Sequence, residues 1–143
     1  MPSPPITSRE YAYFYVSGPG THESVSSLLG LEPSQSWNVG DTIEGTGRLR
    51  NVMRWQLDSG LDDRHPISAH IEALLVLLIP RESQLGRLAL ENDLVIQCVG
   101  HYPPAGHGVH LSREVVRQAA RISAAFDLDF YYLDYEPDGV GPT

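Results

Sequence analysis

The chain has 143 residues, the usual size of one domain, and its 41% hydrophobic content excludes a disordered reading. Ten basic residues, all arginine, against 18 acidic ones give a net charge of −8, which argues against a nucleic-acid partner. A single cysteine, Cys98, excludes an intramolecular disulfide and fits a reducing compartment.

Residues 1–9 are rich in Pro and Ser and read as a loose lead-in. Met1 to Pro5 has neither the basic nor the apolar region of a secretory signal. From Tyr11 to Ser17, Tyr11, Tyr13 and Tyr15 alternate with Ala12, Phe14 and Val16, the period-two pattern of a strand. The turn formers Ser17-Gly18-Pro19-Gly20 end it. Thr21 can cap a short helix with Val25, Leu28 and Leu29 on its apolar side and Gly30 as its stop. Leu31 to Asp41 reads as a connector containing Trp37, and Arg48 to Ser59 as a strand or hairpin with Trp55 and Leu57 on one face.

Pro66 is placed to open a second helix, in which Ile67, Ile71, Leu74, Leu75 and Leu78 recur at helical spacing. Pro80 interrupts it and starts a further turn with Leu85 and Leu88 facing inward. The longest apolar run, Ala73 to Ile79, is too short to span a bilayer. Leu94 to Val99 has the continuous apolar character of a central strand, and His101 to His110 that of a Gly/Pro-rich loop. Ser112 caps a third helix with a stripe of Val115, Ala119, Ile122 and Phe126. Asp129 to Tyr135 reads as the last strand, and residues 137–143 as a loose tail.

This order predicts one α+β domain over residues 1–143. Its expected architecture is a two-layer sandwich: a mostly antiparallel or mixed sheet of roughly four or five strands with helices packed on one face.

Several strings carry a resemblance. Tyr11 to Gly18 is followed by Leu28-Leu29-Gly30-Leu31-Glu32-Pro33-Ser34, then Ser36-Trp37 with Gly40-Asp41, then Trp55 to Ser59. In these the chain resembles the bacterial family labelled domain of unknown function 4279. The resemblance implies a small bacterial cytoplasmic protein with an α+β fold, and no catalytic residue. Small acidic proteins of this kind serve in some cases as immunity proteins against toxins, an analogy of size and fold only.

The residues offer little to an enzyme. His101, His107 and His110 stand within ten residues of loop, and three imidazoles so spaced could wrap a Zn²⁺ ion for a metal-dependent hydrolase. The alternative is a solvated surface loop. Asp58, Asp62 and Asp63 could pair as acid and base, but they precede a helix whose N-terminus favours negative charge by itself. No nucleophile elbow, phosphate loop or dinucleotide fingerprint occurs, and Cys98 sits mid-strand as an inert core thiol. No cofactor is expected.

A binding module is the leading expectation. If Ala12, Phe14 and Val16 face the helices, Tyr11, Tyr13 and Tyr15 face away, with Tyr131, Tyr132 and Tyr135 extending the surface in part. Acidic neighbours Glu10, Asp129, Asp134 and Glu136 would suit a protein partner, and a homodimer is one form of it. The same tyrosines fit a half-buried face under loops equally well. Trp37 and Trp55 fit core anchors or, with the tyrosines, the lining of a small-ligand pocket. The expectation is a soluble cytoplasmic protein-binding module, immunity-like in one form, without nucleic-acid or membrane contacts.

Overall fold

A computed structural model describes residues 7–104 and 107–133. The elements follow as β1 (Arg9–Gly18), α1 (His22–Leu29), β2 (Gln35–Trp37), β3 (Met53–Asp58), α2 (Ile67–Leu78), a 3₁₀ turn (Ile79–Arg81), α3 (Glu82–Leu88), β4 (Asp93–Tyr102), α4 (Arg113–Arg121) and β5 (Ala125–Tyr132). The strands form one open mixed sheet in the order β2-β3-β1-β4-β5. Only β4 and β5 run parallel, joined by α4 as a crossover; every other pair is antiparallel.

Alternation along β1 decides the two faces of the sheet. Ala12, Phe14 and Val16 are buried under the helices beside Met53, Trp55 and Leu57 of β3 and Leu94, Ile96 and Cys98 of β4. Val25 and Leu29 of α1, the Ile67, Ile71, Leu74 and Leu78 stripe of α2, Leu85 of α3 and Ala119 of α4 close over them. The helices therefore cover one face, as the order of elements predicts. Trp55 is fully buried in this core, with Phe14 edge-on at 6.3 Å, and its indole Nε1 donates to Ser26 Oγ of α1 at 2.9 Å.

Local chemistry sets the helix ends. Thr21 Oγ1 accepts from the Ser24 N–H at the start of α1, and Ser112 Oγ from the Val115 N–H at the start of α4. Gly30, at φ 67°, closes α1 in the left-handed conformation and donates to the Ser26 carbonyl. Arg81, in the turn that contains Pro80, donates to the Leu29 and Leu77 carbonyls at 2.6 Å and so ties the ends of α1 and α2 together.

Three expectations change. The connector from Leu31 to Asp41 contains β2, whose Gln35, Ser36 and Trp37 pair with Gln56, Trp55 and Arg54. Arg48 to Ser59 is not one strand: β3 begins at Met53, and residues 38–52 fold back on themselves, with Ile43 donating to the Arg48 carbonyl at 2.8 Å. Phe126 does not continue the α4 stripe. Ser123, at φ 60°, ends the helical path, and β5 starts at Ala125 rather than Asp129. Tyr135 lies outside the described residues. Among the described residues no helix is long and apolar enough to cross a membrane.

Candidate functional site

The face turned away from the helices is built by register. Tyr11, Tyr13 and Tyr15 of β1 stand opposite Val99, Gln97 and Val95 of β4 on one side. Tyr13 and Tyr15 stand opposite Asp58 and Gln56 of β3 on the other, and Gln35 and Trp37 of β2 opposite Gln56 and Arg54. Parallel pairing adds Asp127, Asp129 and Tyr131 of β5 beside Gln97, Val99 and His101.

An aromatic band crosses this face. Tyr11 and Tyr13 stack at 6.4 Å, Tyr13 and Tyr15 lie tilted at the same distance, and Tyr11 continues onto His101 at 6.3 Å and His101 onto Tyr131 at 5.1 Å. The band covers the strand beneath it, for Val95, Gln97 and Val99 are buried although no helix lies above them. Burial raises the Tyr13 and Tyr15 hydroxyls above their usual pKa, with the Arg54 charge opposing it. Arg54 lies over the Tyr15 ring at 4.0 Å, and Arg50 over the Trp37 ring at 3.7 Å.

The two ends of the face differ in charge. Asp93, Asp127 and Asp129 lie at the β4–β5 end, where Asp129 accepts from Gln97 Nε2 at 2.8 Å. Arg50 and Arg54 lie at the β2–β3 end. There a cavity of about 710 Å³ opens, walled by Tyr11, Tyr13, Trp37, Arg54, Gln56 and His70 and rimmed by Asp58, Asp62 and Asp63. The rim acids are already engaged. Asp63 pairs with Arg9 at 2.7 Å, Asp62 accepts from the Arg64 N–H at 3.0 Å and contacts His65 at 3.0 Å, and Asp58 accepts from Gln56 at 3.3 Å.

His70 is 1% exposed on the buried side of α2. Its Nδ1 is 2.5 Å from Ser59 Oγ, and its Nε2 is buried with no hydrogen-bond partner among the described residues. Trp37 Nε1 is likewise buried and unpartnered.

The structure thus brings Tyr11, Tyr13 and Trp37 into one wall, with Tyr15 and Tyr131 on the same face. It does not bring Trp55 there: the side chain alternates onto the helix side with Met53 and Leu57. Tyr132 also turns to that side and lies 6.2 Å from Tyr102. Glu10, expected beside the tyrosines, instead accepts from the Tyr102 hydroxyl at 2.9 Å. Asp134 and Glu136 lie outside the described residues.

The three loop histidines are not gathered. His101, the last residue but one of β4, stacks within the open face, whereas His107 folds over Tyr102 at 4.2 Å, and His110 is exposed. Consecutive side chains of a strand point to opposite faces, so His101 and the Tyr102–His107 stack part at the strand end. Among the described residues no group of three or more His, Cys, Asp or Glu is arranged to hold a metal ion.

Sequence reasoning missed Arg54, Ser59 and His70 as cavity residues. For His70 the signal was its spacing, three residues after Ile67 and four before Leu74 on the apolar side of α2. For Arg54 it was the unrecognised partner strand that carries Trp37.

Neither curated proteins nor solved structures yield a match to the chain. The profile of a family described as a domain of unknown function, DUF4279, matches residues 8–133, which is most of the sequence and includes every strand and helix of the fold. The open tyrosine face and its cavity therefore belong to a member of the DUF4279 family.

Proposed function

We propose that the protein is a non-enzymatic binding module of the bacterial cytoplasm, and that its open sheet face receives a protein partner rich in basic residues. The one-sided helix layer carries this reading, because it leaves a band of Tyr11, Tyr13, Tyr15, His101 and Tyr131 facing outward. Tyrosine offers large apolar area with a polar tip and is enriched where proteins meet. Charge selects the partner. Asp93, Asp127 and Asp129 flank the band, and none of them forms an ion pair among the described residues. With the net charge of −8, this end attracts and orients a basic surface. A basic toxin, held as immunity proteins hold theirs, is one such partner by analogy of size and fold.

The test is capture by the immobilised full chain, with the captured protein identified and its charge read from its sequence. The expected partner is basic, and it is lost on Tyr13→Ser/Tyr15→Ser and on Asp127→Lys/Asp129→Lys while thermal unfolding stays cooperative. Equal capture by all three proteins removes the open face as the interface. A stable homodimer that the tyrosine variant dissociates would replace the basic partner by a second copy of this chain.

A further inference from the structure

We propose that the cavity at the β2–β3 end of the open face binds a small aromatic carboxylate, with Arg54 meeting the carboxylate and the Tyr11–Tyr13–Trp37 wall meeting the ring. This site shares Tyr11 and Tyr13 with the partner surface, but its cation, Arg54, lies at the opposite end from Asp93, Asp127 and Asp129, so variants of Arg54 test it separately from that surface.

Size and lining fit a small molecule. About 710 Å³ lies within the range of ligand pockets, which are mostly aromatic with a few polar groups that fix orientation. The polar lining holds donors, led by Arg54, as well as the carboxylates of Asp58, Asp62 and Asp63. The indole Nε1 of Trp37 can only donate, and it is buried without an acceptor among the described residues. On the other wall, Ser59 Oγ accepts from the Leu61 N–H at 3.2 Å and lies 2.5 Å from His70 Nδ1, a bond in which either atom can donate. The tautomer in which Nδ1 accepts makes Nε2 a second buried donor without a partner among the described residues.

Charge gives the sign of the ligand. Arg54 makes no ion pair among the described residues, and its guanidinium is held by stacking, 4.0 Å over Tyr15 and 5.6 Å from the Trp37 ring. Stacking uses the flat face of the guanidinium, and its N–H edge, which also reaches the Tyr13 hydroxyl, carries the donors that a carboxylate takes. Arg50, 3.7 Å over Trp37, adds a second cation at this end. The competing reading is an organic cation held by the aromatics and by Asp58, Asp62 and Asp63. Of those carboxylates Asp63 is paired with Arg9, while Asp58 and Asp62 accept from Gln56 and from the Arg64 N–H and keep further lone pairs, so the cationic probe below measures their pull against that of Arg54.

Three probes with one aromatic body and different charge decide between these. They are 2-naphthoate, 2-naphthalenemethanol and 2-naphthylmethylammonium, titrated into the ¹⁵N-labelled full chain. The chain contains two tryptophans, so two indole N–H signals report. Trp55, bonded to Ser26 in the core, serves as the internal control. Naphthoate is expected to move the Trp37 signal saturably and leave the Trp55 signal in place. The alcohol should bind about tenfold or more weakly, as loss of one charge-assisted bond implies. Arg54→Gln should weaken naphthoate to a similar degree with the Trp55 signal unmoved. Arg54→Lys should fall between the two, since it keeps the charge and loses the fork. The proposal is overturned if the Trp37 signal stays fixed at about 5 mM naphthoate. Equal or tighter binding of the ammonium probe, or unchanged naphthoate binding by a folded Arg54→Gln protein, overturns it as well.

Discussion

The Tyr102 ring occupies the space that a side chain at Gly100 would need. Both residues face the helix side of β4, and a Cβ at residue 100 would run into Cε2, Cζ and Oη of the ring. The ring is held there from three sides, by His107 stacked at 4.2 Å, Phe130 edge-on at 5.7 Å and the hydroxyl bond to Glu10 at 2.9 Å. Gly100→Ala is therefore expected to cost about 1–3 kcal/mol as an overpacking change. Urea unfolding measures it, and in a Tyr102→Ala background the same substitution should cost far less, because the colliding ring is gone.

The same ring makes stability sensitive to alkali. Burial, reinforced by the Glu10 hydrogen bond and the Glu10 charge, raises the Tyr102 hydroxyl well above its ordinary 10.0. In the unfolded chain the phenol loses its proton near pH 10, while the folded protein keeps it. Above that pH the folded state binds more protons than the unfolded one, so stability falls as pH rises. Below it the contribution is fully present. Chemical denaturation of Tyr102→Phe should show a shallower decline above pH 10 than the parent. The raised hydroxyls of Tyr13 and Tyr15 persist in both proteins and cancel in the comparison.

Cys98 is fully buried, and burial pushes its thiol from 9.0 up to about 12. The thiolate is the reactive form, so a thiol-disulfide reagent near pH ~8 should leave the native protein unmodified. Added denaturant should expose one reactive thiol per chain. Rapid labelling without denaturant would contradict the packing of β4 against the helices.

Ser26 and Trp55 give a test of the α1 contact. Ser26→Ala removes the hydrogen-bond acceptor of the buried indole N–H. A buried donor left without a partner costs about 1–3 kcal/mol. In a Trp55→Phe background no donor remains, and Ser26→Ala should become nearly neutral. Equal costs in both backgrounds would assign the Ser26 effect to the helix instead of to the bond.

Much of the fold was legible because its signals are local. Alternation from Tyr11 to Val16 separates the core face from the open face, and the Thr21, Gly30 and Ser112 caps are written in neighbouring residues. β2 was not legible. Its three residues have no pattern of their own and become a strand only by pairing with Arg54 to Gln56. The start of β5 was hidden for the opposite reason, since Ile122 and Phe126 continue the helical spacing of α4 across the Ser123 turn. The aromatic half of the site followed from alternation in β1. The polar half did not, for Arg54 and His70 reach the cavity from elements whose relative placement no local pattern records.

The position of β1 has a kinetic consequence. The first strand in the chain is the middle strand of the sheet, and its partner Val99 stands opposite Tyr11, far along the sequence. The sequence-adjacent pairs β2–β3 and β4–β5 do not touch each other, and only β1, inserted between β3 and β4, joins them into one sheet. The sheet must close long loops before most of its ladder forms, which predicts slow, all-or-none assembly. Until β4 arrives, a tyrosine-rich strand waits with an unpaired edge.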